Sequence, residues 1–217
     1  MYKRHDLPIG PGRELIARIS LALFWLVATI LGLIVIKRRI DGISSFVGIL
    51  PGDIPKWGYV VIPLALLSFL YLTALTVLYI WVPAIAIDFV FIMVSLDTSI
   101  LEALRLVGAG LTLIGALIFL TAFFHLGSSV RLLIPEVEEG TRLMTDGWYA
   151  RSRNPLYLGI HIAMIGWVFI LPSLLTGLAL VIFLVNQHFR ILLEEKFLED
   201  RFGEDYRAYK TRVRRYL

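Results

Sequence analysis

Two short sets of polar residues lie on either side of an apolar segment near the C-terminus, which is interrupted at Pro172. The sets are Asn154, Tyr157 and His161 before the interruption, and Gln187, Arg190 and Glu194 after it. Within each set the spacing is i, i+3, i+7, which places the three side chains on one face of an α-helix. Ionisable side chains in an apolar segment indicate a functional site, and this mixture suits a charged organic ligand.

The interruption at Pro172 predicts a helical hairpin that brings the two polar faces together. Residues equally distant from the turn of an antiparallel hairpin lie at similar depth, so we expect Asn154 to face Arg190 and Tyr157 to face Gln187. At the helical rise, Arg190 lies about 27 Å from the turn, roughly the thickness of the hydrocarbon core of a membrane. We therefore predict a single polar pocket where the hairpin reaches the cytoplasmic interface.

The composition indicates that the bilayer is the solvent for most of the chain. Hydrophobic residues make up 58% of the 217 residues and charged residues only 18%, and the mean hydropathy is +0.79. A soluble domain of this size leaves too much surface in water to hide so much apolar area. There is no cysteine, which excludes disulfides and thiolate chemistry.

The pattern predicts an all-α integral membrane protein with about five transmembrane helices, a C-terminal helical hairpin and a cytosolic cofactor pocket. A spanning helix needs about 20 apolar residues. The expected spans are 15–36, 57–81, 101–124, 154–171 and 173–194, and the first is expected to be a retained anchor. Gly108, Thr112 and Gly115 form a small-residue stripe suited to close helix packing. Residues 83–97 are expected to be interfacial or re-entrant, and a sixth span there stays open.

Positive charges predict the orientation of the chain. The loop 126–153 and the C-terminal tail are rich in lysine and arginine, and they lie on one side whether the chain has five spans or six. By the positive-inside rule that side is the cytoplasm. The tail itself is interpreted as a surface segment attracted to anionic lipid. A single domain over 1–217 is the simplest organisation, with 1–125 forming the lipid-substrate entrance and 126–217 carrying the motifs.

The same region resembles the isoprenylcysteine carboxyl methyltransferase family and the related membrane phospholipid methyltransferases. The resemblance covers about residues 140–213, and its spacing is kept across the hairpin. The matching residues are Leu143, Thr145, Gly147 and Tyr149; Arg153, Asn154, Pro155, Tyr157 and Gly159; Arg190, Glu194 and Glu195; and Phe202, Gly203, Tyr206 and Tyr209.

Three positions depart from the pattern of the eukaryotic isoprenylcysteine enzymes. Thr141 and Asn154 stand where those enzymes carry histidines, and Val213 is not followed by the usual proline. The asparagine form is similar to a broader prokaryotic branch. The cofactor motif is kept, while the acceptor is left unidentified.

The resemblance implies a membrane-embedded methyltransferase that uses S-adenosylmethionine. It implies cofactor binding by Leu143, Gly147, Tyr149, Arg153, Asn154, Tyr157, Gly159, His161 and Glu194. Arg190 and Glu195 are implied as catalytic residues at the acceptor end. Arg190 would orient a carboxylate acceptor, and Glu195 would act as the base for an amine or a hydroxyl. Gly147 and Gly159 would permit close approach of the backbone, and Asn154 with the helix start would serve the carboxylate of the cofactor.

The expected acceptor is lipophilic, an isoprenylcysteine-like carboxylate or a lipid head group, and it enters from the bilayer. The protein is expected in the cell membrane of a prokaryote or the endoplasmic reticulum of a eukaryote, with membrane lipids as neighbours and no nucleic acid. No metal is expected, because the four histidines have no ligand spacing.

Alternatives remain for the function of the chain and for the roles of individual residues. The chain could be an NADPH-dependent membrane reductase of the sterol-reductase type, or a non-catalytic membrane scaffold. Individually, Arg190 and Glu194 could form only an ion pair at a helix end, and His161 could be an interhelical hydrogen-bond donor. The tyrosines could belong to an interfacial aromatic belt.

Overall fold

The computed structural model describes residues 11–41, 58–82, 97–126 and 143–217, and in these ranges the regular structure is entirely helical. The first three long helices are α1 (Pro11–Asp41), α2 (Gly58–Trp81) and α3 (Thr98–Leu126). A short 3-10 helix, Gly147–Ala150, precedes α4 (Pro155–Ile170). The chain ends with α5 (Leu174–Phe202) and α6 (Glu204–Arg212).

Each apolar run that predicted a span coincides with a helix, but two helices continue beyond the apolar run. α1 extends through the basic residues Lys37–Arg39 to Asp41, and α5 continues past Glu194 to Phe202. These extensions contain straight-chain charged residues, which have good helix propensity and can continue a helix into water. The re-entrant segment was predicted for a stretch that, apart from Asp97, lies outside the described residues, so it stays a prediction.

Two of the described helices are long and apolar enough to cross a membrane. They are Ser99–His125, whose most apolar 18-residue stretch has a mean hydropathy of 2.3, and Leu174–Phe202, whose most apolar stretch of the same length has 1.6. Shorter apolar helices occupy Leu15–Ile30, Leu70–Trp81 and Pro155–Ile170. Large apolar side chains also point outward, such as Leu117 and Leu67, each 61% exposed. Such outward apolar surface is typical of a protein that contacts lipid. The number of spans stays a prediction.

The core lies where α1, α2 and α4 meet. It is centred on Trp167, which is 1% exposed and packs among buried side chains of α1 and α2 such as Leu21 and Leu75. The indole of Trp167 donates a 2.7 Å hydrogen bond to Thr76 Oγ1 on α2. Buried polar groups need partners, and this bond satisfies two of them at once. The helix that begins at the candidate site is therefore fixed against the N-terminal helices.

Glycines bring α3 and α4 into close contact. A Cβ atom at Gly108 would lie 2.4 Å from the Gly166 carbonyl, and one at Gly115 would lie 2.5 Å from the Gly159 carbonyl. Thr112 Oγ1 lies 3.4 Å from the Ala163 carbonyl across the same interface. The predicted packing role of the Gly108, Thr112 and Gly115 stripe is confirmed, because only residues without a bulky side chain permit such an approach.

The hairpin turns at Leu171–Ser173, as the sequence predicts. Ser173 begins α5 with a capping box, in which its side chain accepts from the Thr176 backbone N–H while Thr176 Oγ1 accepts from the Ser173 backbone N–H. Such reciprocal bonds satisfy the donors at a helix start. Arg105 on α3 lies buried nearby and donates a 3.4 Å bond to the Ile170 carbonyl at the end of α4. The turn is thereby held against α3, far along both helices from the candidate site.

Candidate functional site

Two hydrogen bonds join α4 and α5 at the end of the hairpin opposite to the turn. The Tyr157 hydroxyl donates to Glu194 Oε2 at 2.9 Å. Asn154 Nδ2 donates to Glu195 Oε1 at 3.1 Å. The structure thus brings the two predicted polar faces together, and adjacent residues of α5 hold adjacent turns of α4.

The partners differ from those predicted by depth alone. Asn154 meets Glu195 rather than Arg190, and Tyr157 meets Glu194 rather than Gln187, so the predicted pairing is wrong. Helical side chains lean toward the N-terminus of their own helix. On α4 that direction leads away from the turn, and on α5 it leads back toward the turn. Each helix thus contributes a displacement of about one helical turn, which shifts the contacting pairs along α5.

Glu195 is the centre of a buried ionic network. Its side chain is 6% exposed, and Arg153 Nη2 lies 3.2 Å from Oε1. Arg215 contacts both carboxylate oxygens, Nε at 3.1 Å from Oε1 and Nη2 at 2.9 Å from Oε2. With Asn154, three side chains donate to one carboxylate. A carboxylate held by two guanidinium groups is a poor proton acceptor, so this geometry favours a structural role over the implied role as a base.

Glu194 has different surroundings, although it is the neighbour of Glu195 in the chain. Glu194 and Arg190 are both exposed. Arg190 interacts electrostatically with both the Tyr157 hydroxyl and the Glu194 carboxylate. Tyr157, Arg190 and Glu194 therefore form an accessible polar cluster, while Asn154 and Glu195 form a buried one behind it.

The C-terminal tail packs into the site instead of lying on the surface. Tyr206, Tyr209 and Val213 are buried together. Beyond them, the Arg214 carbonyl accepts from the Arg153 backbone N–H at 2.9 Å, and the Arg215 carbonyl accepts from Asn154 Nδ2 at 3.2 Å. The interpretation of the tail as a surface segment is wrong, because its tyrosines and Val213 at i, i+3, i+7 form an inward apolar face that anchors it.

Tyr216 follows these contacts and reaches the histidines of the hairpin. Its hydroxyl lies 2.8 Å from His188 Nδ1, and its ring lies 5.8 Å from the ring of His161. His161 Nε2 is buried and has no hydrogen-bond partner among the described residues. His161 therefore lies on the predicted face of α4, where its ring contacts the tail.

The segment before α4 carries the remaining predicted cofactor residues. Gly147 has a φ of +56°, and a Cβ there would lie 2.4 Å from the ring of His125, so glycine is required for the conformation and the contact. Tyr149 is buried, its ring stacks 6.4 Å from that of His125, and its carbonyl accepts a 2.6 Å bond from Tyr209. Burial raises the pKa of the Tyr149 phenol, and the nearby charge of Glu194 raises it further.

Leu143 and Gly159 both have close packing contacts within the protein. Leu143 packs against the buried tyrosines of the tail. Gly159 faces α3, where an added Cβ would lie 2.6 Å from the Phe119 backbone nitrogen. The close backbone approach expected at Gly159 is present, but its partner is a helix.

Two cavities adjoin these residues. One of about 520 Å³ is lined by His125, Gly147, Trp148, Ala150 and Arg151. Another of about 360 Å³ lies beside the buried network and is lined by Leu192, Glu195, Lys196, Glu199, Asp200, Arg207, Lys210 and Arg215. Both volumes fall in the range of small-molecule sites. Among the described residues no group of three or more metal-ligating side chains occurs.

For the described part of the chain, these observations define a helical, membrane-associated protein with a polar site at the open end of a helical hairpin. Residues 104–205 match the family model for phospholipid methyltransferase, and the chain belongs to this methyltransferase family. An "Uncharacterized protein" of Haemophilus influenzae (strain ATCC 51907 / DSM 11121 / KW20 / Rd) is 41% identical over 63 residues, which are 29% of this chain and 100% of that protein.

The sequence reasoning missed Arg215 and His125 as parts of the site. Arg215 was counted only as one of the basic residues of the tail, and its isolated position gives no signal. The spacing of Tyr206, Tyr209 and Val213 was a signal that the tail folds inward. His125 lies at the end of α3, and only the fold brings it to Gly147.

Proposed function

We propose that this protein is an S-adenosylmethionine-dependent methyltransferase that acts on a lipophilic acceptor. The acceptor is an isoprenylcysteine-like carboxylate or a lipid head group. The family membership supports methyl transfer. The main support for the cofactor and the acceptor is the cluster of half-buried Tyr157 with the exposed Arg190 and Glu194. A 2.9 Å hydrogen bond from Tyr157 to Glu194 across the hairpin holds this cluster in place.

The chemistry of the cluster suits this cofactor. When bound, S-adenosylmethionine supplies a methyl group on a positively charged sulfonium, next to an ammonium and ribose hydroxyls. Glu194 is an accessible carboxylate for a positive or hydroxylic group, and the rings of Tyr149 and Tyr157 offer electron-rich faces to a cation. The cavity beside Gly147, of about 520 Å³, adds space for an aromatic base against Trp148.

The exposed cluster also has the groups needed at the acceptor end. Methyl transfer forms a bond from the acceptor oxygen or nitrogen to carbon, and the electron pair of the broken carbon–sulfur bond stays on sulfur. A carboxylate acceptor releases no proton, and Arg190 would orient it. An amine or a hydroxyl must lose a proton, and Glu195 is poorly placed to take it because Arg153 and Arg215 hold its carboxylate.

Rigid placement of these groups is the main contribution expected of the protein. An in-line displacement is accelerated chiefly by holding the reacting atoms in the correct geometry. α4 is fixed to α3 by glycine contacts and to α2 by the bond from Trp167 to Thr76. The Tyr157 hydroxyl is therefore presented from a rigid helix.

We further propose that the site faces the cytoplasm and that the acceptor enters sideways from the bilayer. The outward apolar faces of α3 and α5 support contact with lipid. The concentration of positive residues in the loop 126–153 and in the tail supports a cytoplasmic location for the polar end of the hairpin.

Methyl transfer is tested by incubating the purified protein, in detergent or lipid nanodiscs, with methyl-labelled S-adenosylmethionine and a total lipid extract. We expect label in a lipid fraction, and loss of that label in Glu194→Gln. Heat-denatured protein is the background control. Saturable binding of NADPH with no transfer of label would contradict the proposal and favour the reductase, whereas absence of both activities would favour the scaffold.

A further inference from the structure

We propose that Arg215, in the C-terminal tail, is a positioning residue that fixes the orientation of the Asn154 side chain, so that Asn154 presents a hydrogen-bond acceptor to the ligand. This rests on the proposed function, because the ligand in question is the cofactor. Arg215 lies outside the motifs that carry the family resemblance.

Arg215 contacts the site in two independent ways. Its guanidinium holds both oxygens of the buried Glu195 carboxylate, at 3.1 Å and 2.9 Å. Its backbone carbonyl accepts from Asn154 Nδ2 at 3.2 Å and from Ser152 Oγ at 3.2 Å. Arg215 therefore holds Glu195, which is one partner of Asn154, and its own carbonyl is the other partner.

These contacts determine which way the Asn154 amide faces. A side-chain amide nitrogen has two hydrogens, and both are directed at pure acceptors, the Glu195 carboxylate and the Arg215 carbonyl. The opposite amide orientation would place an oxygen against two other oxygens, so the hydrogen-bond network fixes the assignment. The remaining polar atom of the side chain is Oδ1, which only accepts.

Asn154 lies at the start of α4, so the orientation of its amide decides whether its oxygen can cap the helix. Asn154 is the N-cap of α4, where asparagine ordinarily accepts a hydrogen bond from the first turn. Here its side chain makes no capping bond. Its oxygen is thus kept from the helix while its nitrogen is held by the tail.

A ligand group that meets Asn154 must therefore be a donor. In S-adenosylmethionine the donors are the α-ammonium, the ribose hydroxyls and the adenine amino group. The implied contact of the Asn154 side chain with the carboxylate of the cofactor would require the amide nitrogen, whose hydrogens are used. Asn154 therefore accepts a hydrogen bond from the cofactor and does not donate one to its carboxylate.

The test measures binding of S-adenosylhomocysteine and of analogues that each lack one donor group, by calorimetry on the full chain in nanodiscs. We expect Asn154→Ala to weaken S-adenosylhomocysteine on the order of tenfold, since one bond is lost. The analogue lacking the contacting donor should bind wild type and variant equally. Arg215→Ala should reproduce this analogue selectivity, and Arg215→Lys, which keeps the charge but not the two-point contact, should restore part of it.

Arg212→Ala is the matched control, because Arg212 is an exposed arginine of the same tail. Among the residues that the structure describes, it bonds only to the Ala208 carbonyl of its own helix. It should leave every affinity unchanged. Wild-type protein that binds no analogue would contradict the proposed function. Wild-type protein that binds, with Arg215→Ala losing affinity equally for all analogues or for none, would contradict the positioning role alone. Folding of each variant is checked by its thermal unfolding midpoint.

Discussion

The amide nitrogen of Asn154 lies 3.1 Å from Glu195 Oε1, across the gap between the two helices of the C-terminal hairpin. This contact is buried, whereas the neighbouring contact of Tyr157 with Glu194 is exposed. Two adjacent glutamates therefore have different environments: Glu195 joins α4, α5 and the tail, and Glu194 faces the accessible side. The difference predicts different results for the same substitution at the two positions.

Glu195→Gln should destabilise the protein more than Glu194→Gln. Removing the charge of Glu195 leaves the buried guanidinium group of Arg153 and the partly exposed one of Arg215 without their anion. We expect a loss of about 1–3 kcal/mol in the free energy of unfolding, the usual cost of impairing a buried hydrogen bond to a charged group. The exposed Glu194 should lose less than about 1 kcal/mol. Chemical unfolding in mild detergent measures both.

Glu194→Gln is a matched control for Glu195→Gln, because the same substitution is made at neighbouring positions of one helix. Equal destabilisation by both would contradict the assignment of Glu195 to a buried network. The ligand-binding measurements should show the reverse order if Glu194 is the accessible carboxylate, with intact stability and impaired binding in Glu194→Gln.

Gly115→Ala should destabilise the contact between α3 and α4. An added Cβ would lie 2.4 Å from the Ala163 backbone nitrogen and 2.5 Å from the Gly159 carbonyl, and neither backbone atom can move without separating the helices. Overpacking of this kind costs about 1–3 kcal/mol. The measurement is the thermal unfolding midpoint in detergent.

Gly110→Ala provides the control on the same helix. A Cβ at Gly110 meets no atom within 4 Å. Alanine has the better helix propensity, so this variant should be neutral or more stable by up to about 1 kcal/mol. If Gly115→Ala and Gly110→Ala change the unfolding midpoint equally, the close approach of α3 to α4 at Gly115 is contradicted.

Tyr209 should give the tail contact a dependence on alkaline pH. Burial raises the pKa of Tyr209 to about 12, and its hydroxyl donates a 2.6 Å bond to the Tyr149 carbonyl. In the unfolded chain tyrosine loses its proton near pH 10. The unfolded state therefore binds fewer protons above that pH, so the stabilisation is complete below about pH 10 and is lost as the pH approaches 12.

The measurement is the free energy of unfolding between pH 9 and pH 12 for wild type and Tyr209→Phe. Phenylalanine cannot ionise, so its curve should fall less steeply over this interval. Parallel curves for the two proteins would mean that Tyr209 is not held in a buried, protonated form.

Apolar periodicity and punctuation were sufficient to predict much of the hairpin. The apolar runs predicted the helices, and Pro172 predicted the turn between them. The spacing of Gly108 and Gly115 predicted a face for close helix packing, which contacts α4 in the structure. These features are local, and each depends on residues close together in the chain. The helical spacing of the polar residues placed Tyr157 and Glu194 on the two facing sides of the hairpin, and the structure brings them into contact.

The features that sequence reasoning failed to predict depend on direction and on distant contacts. The pairing across the hairpin was wrong because depth was counted from backbone positions, while side chains lean along their helices. The contact of Arg215 with Glu195 joins residues 20 positions apart through a tail that folds back. The close contact of Gly159 with Phe119 was not predicted, because α3 is remote from Gly159 in the sequence.

Titration of the purified protein in nanodiscs with S-adenosylmethionine tests the central claim most directly. We expect saturable binding to the wild type that is lost or much weakened in Glu194→Gln and in Asn154→Leu, and unchanged in the exposed control Arg212→Ala. Binding that is equally strong in all four proteins, or no binding by any of them, would contradict the assignment of the cofactor site to the polar end of the hairpin.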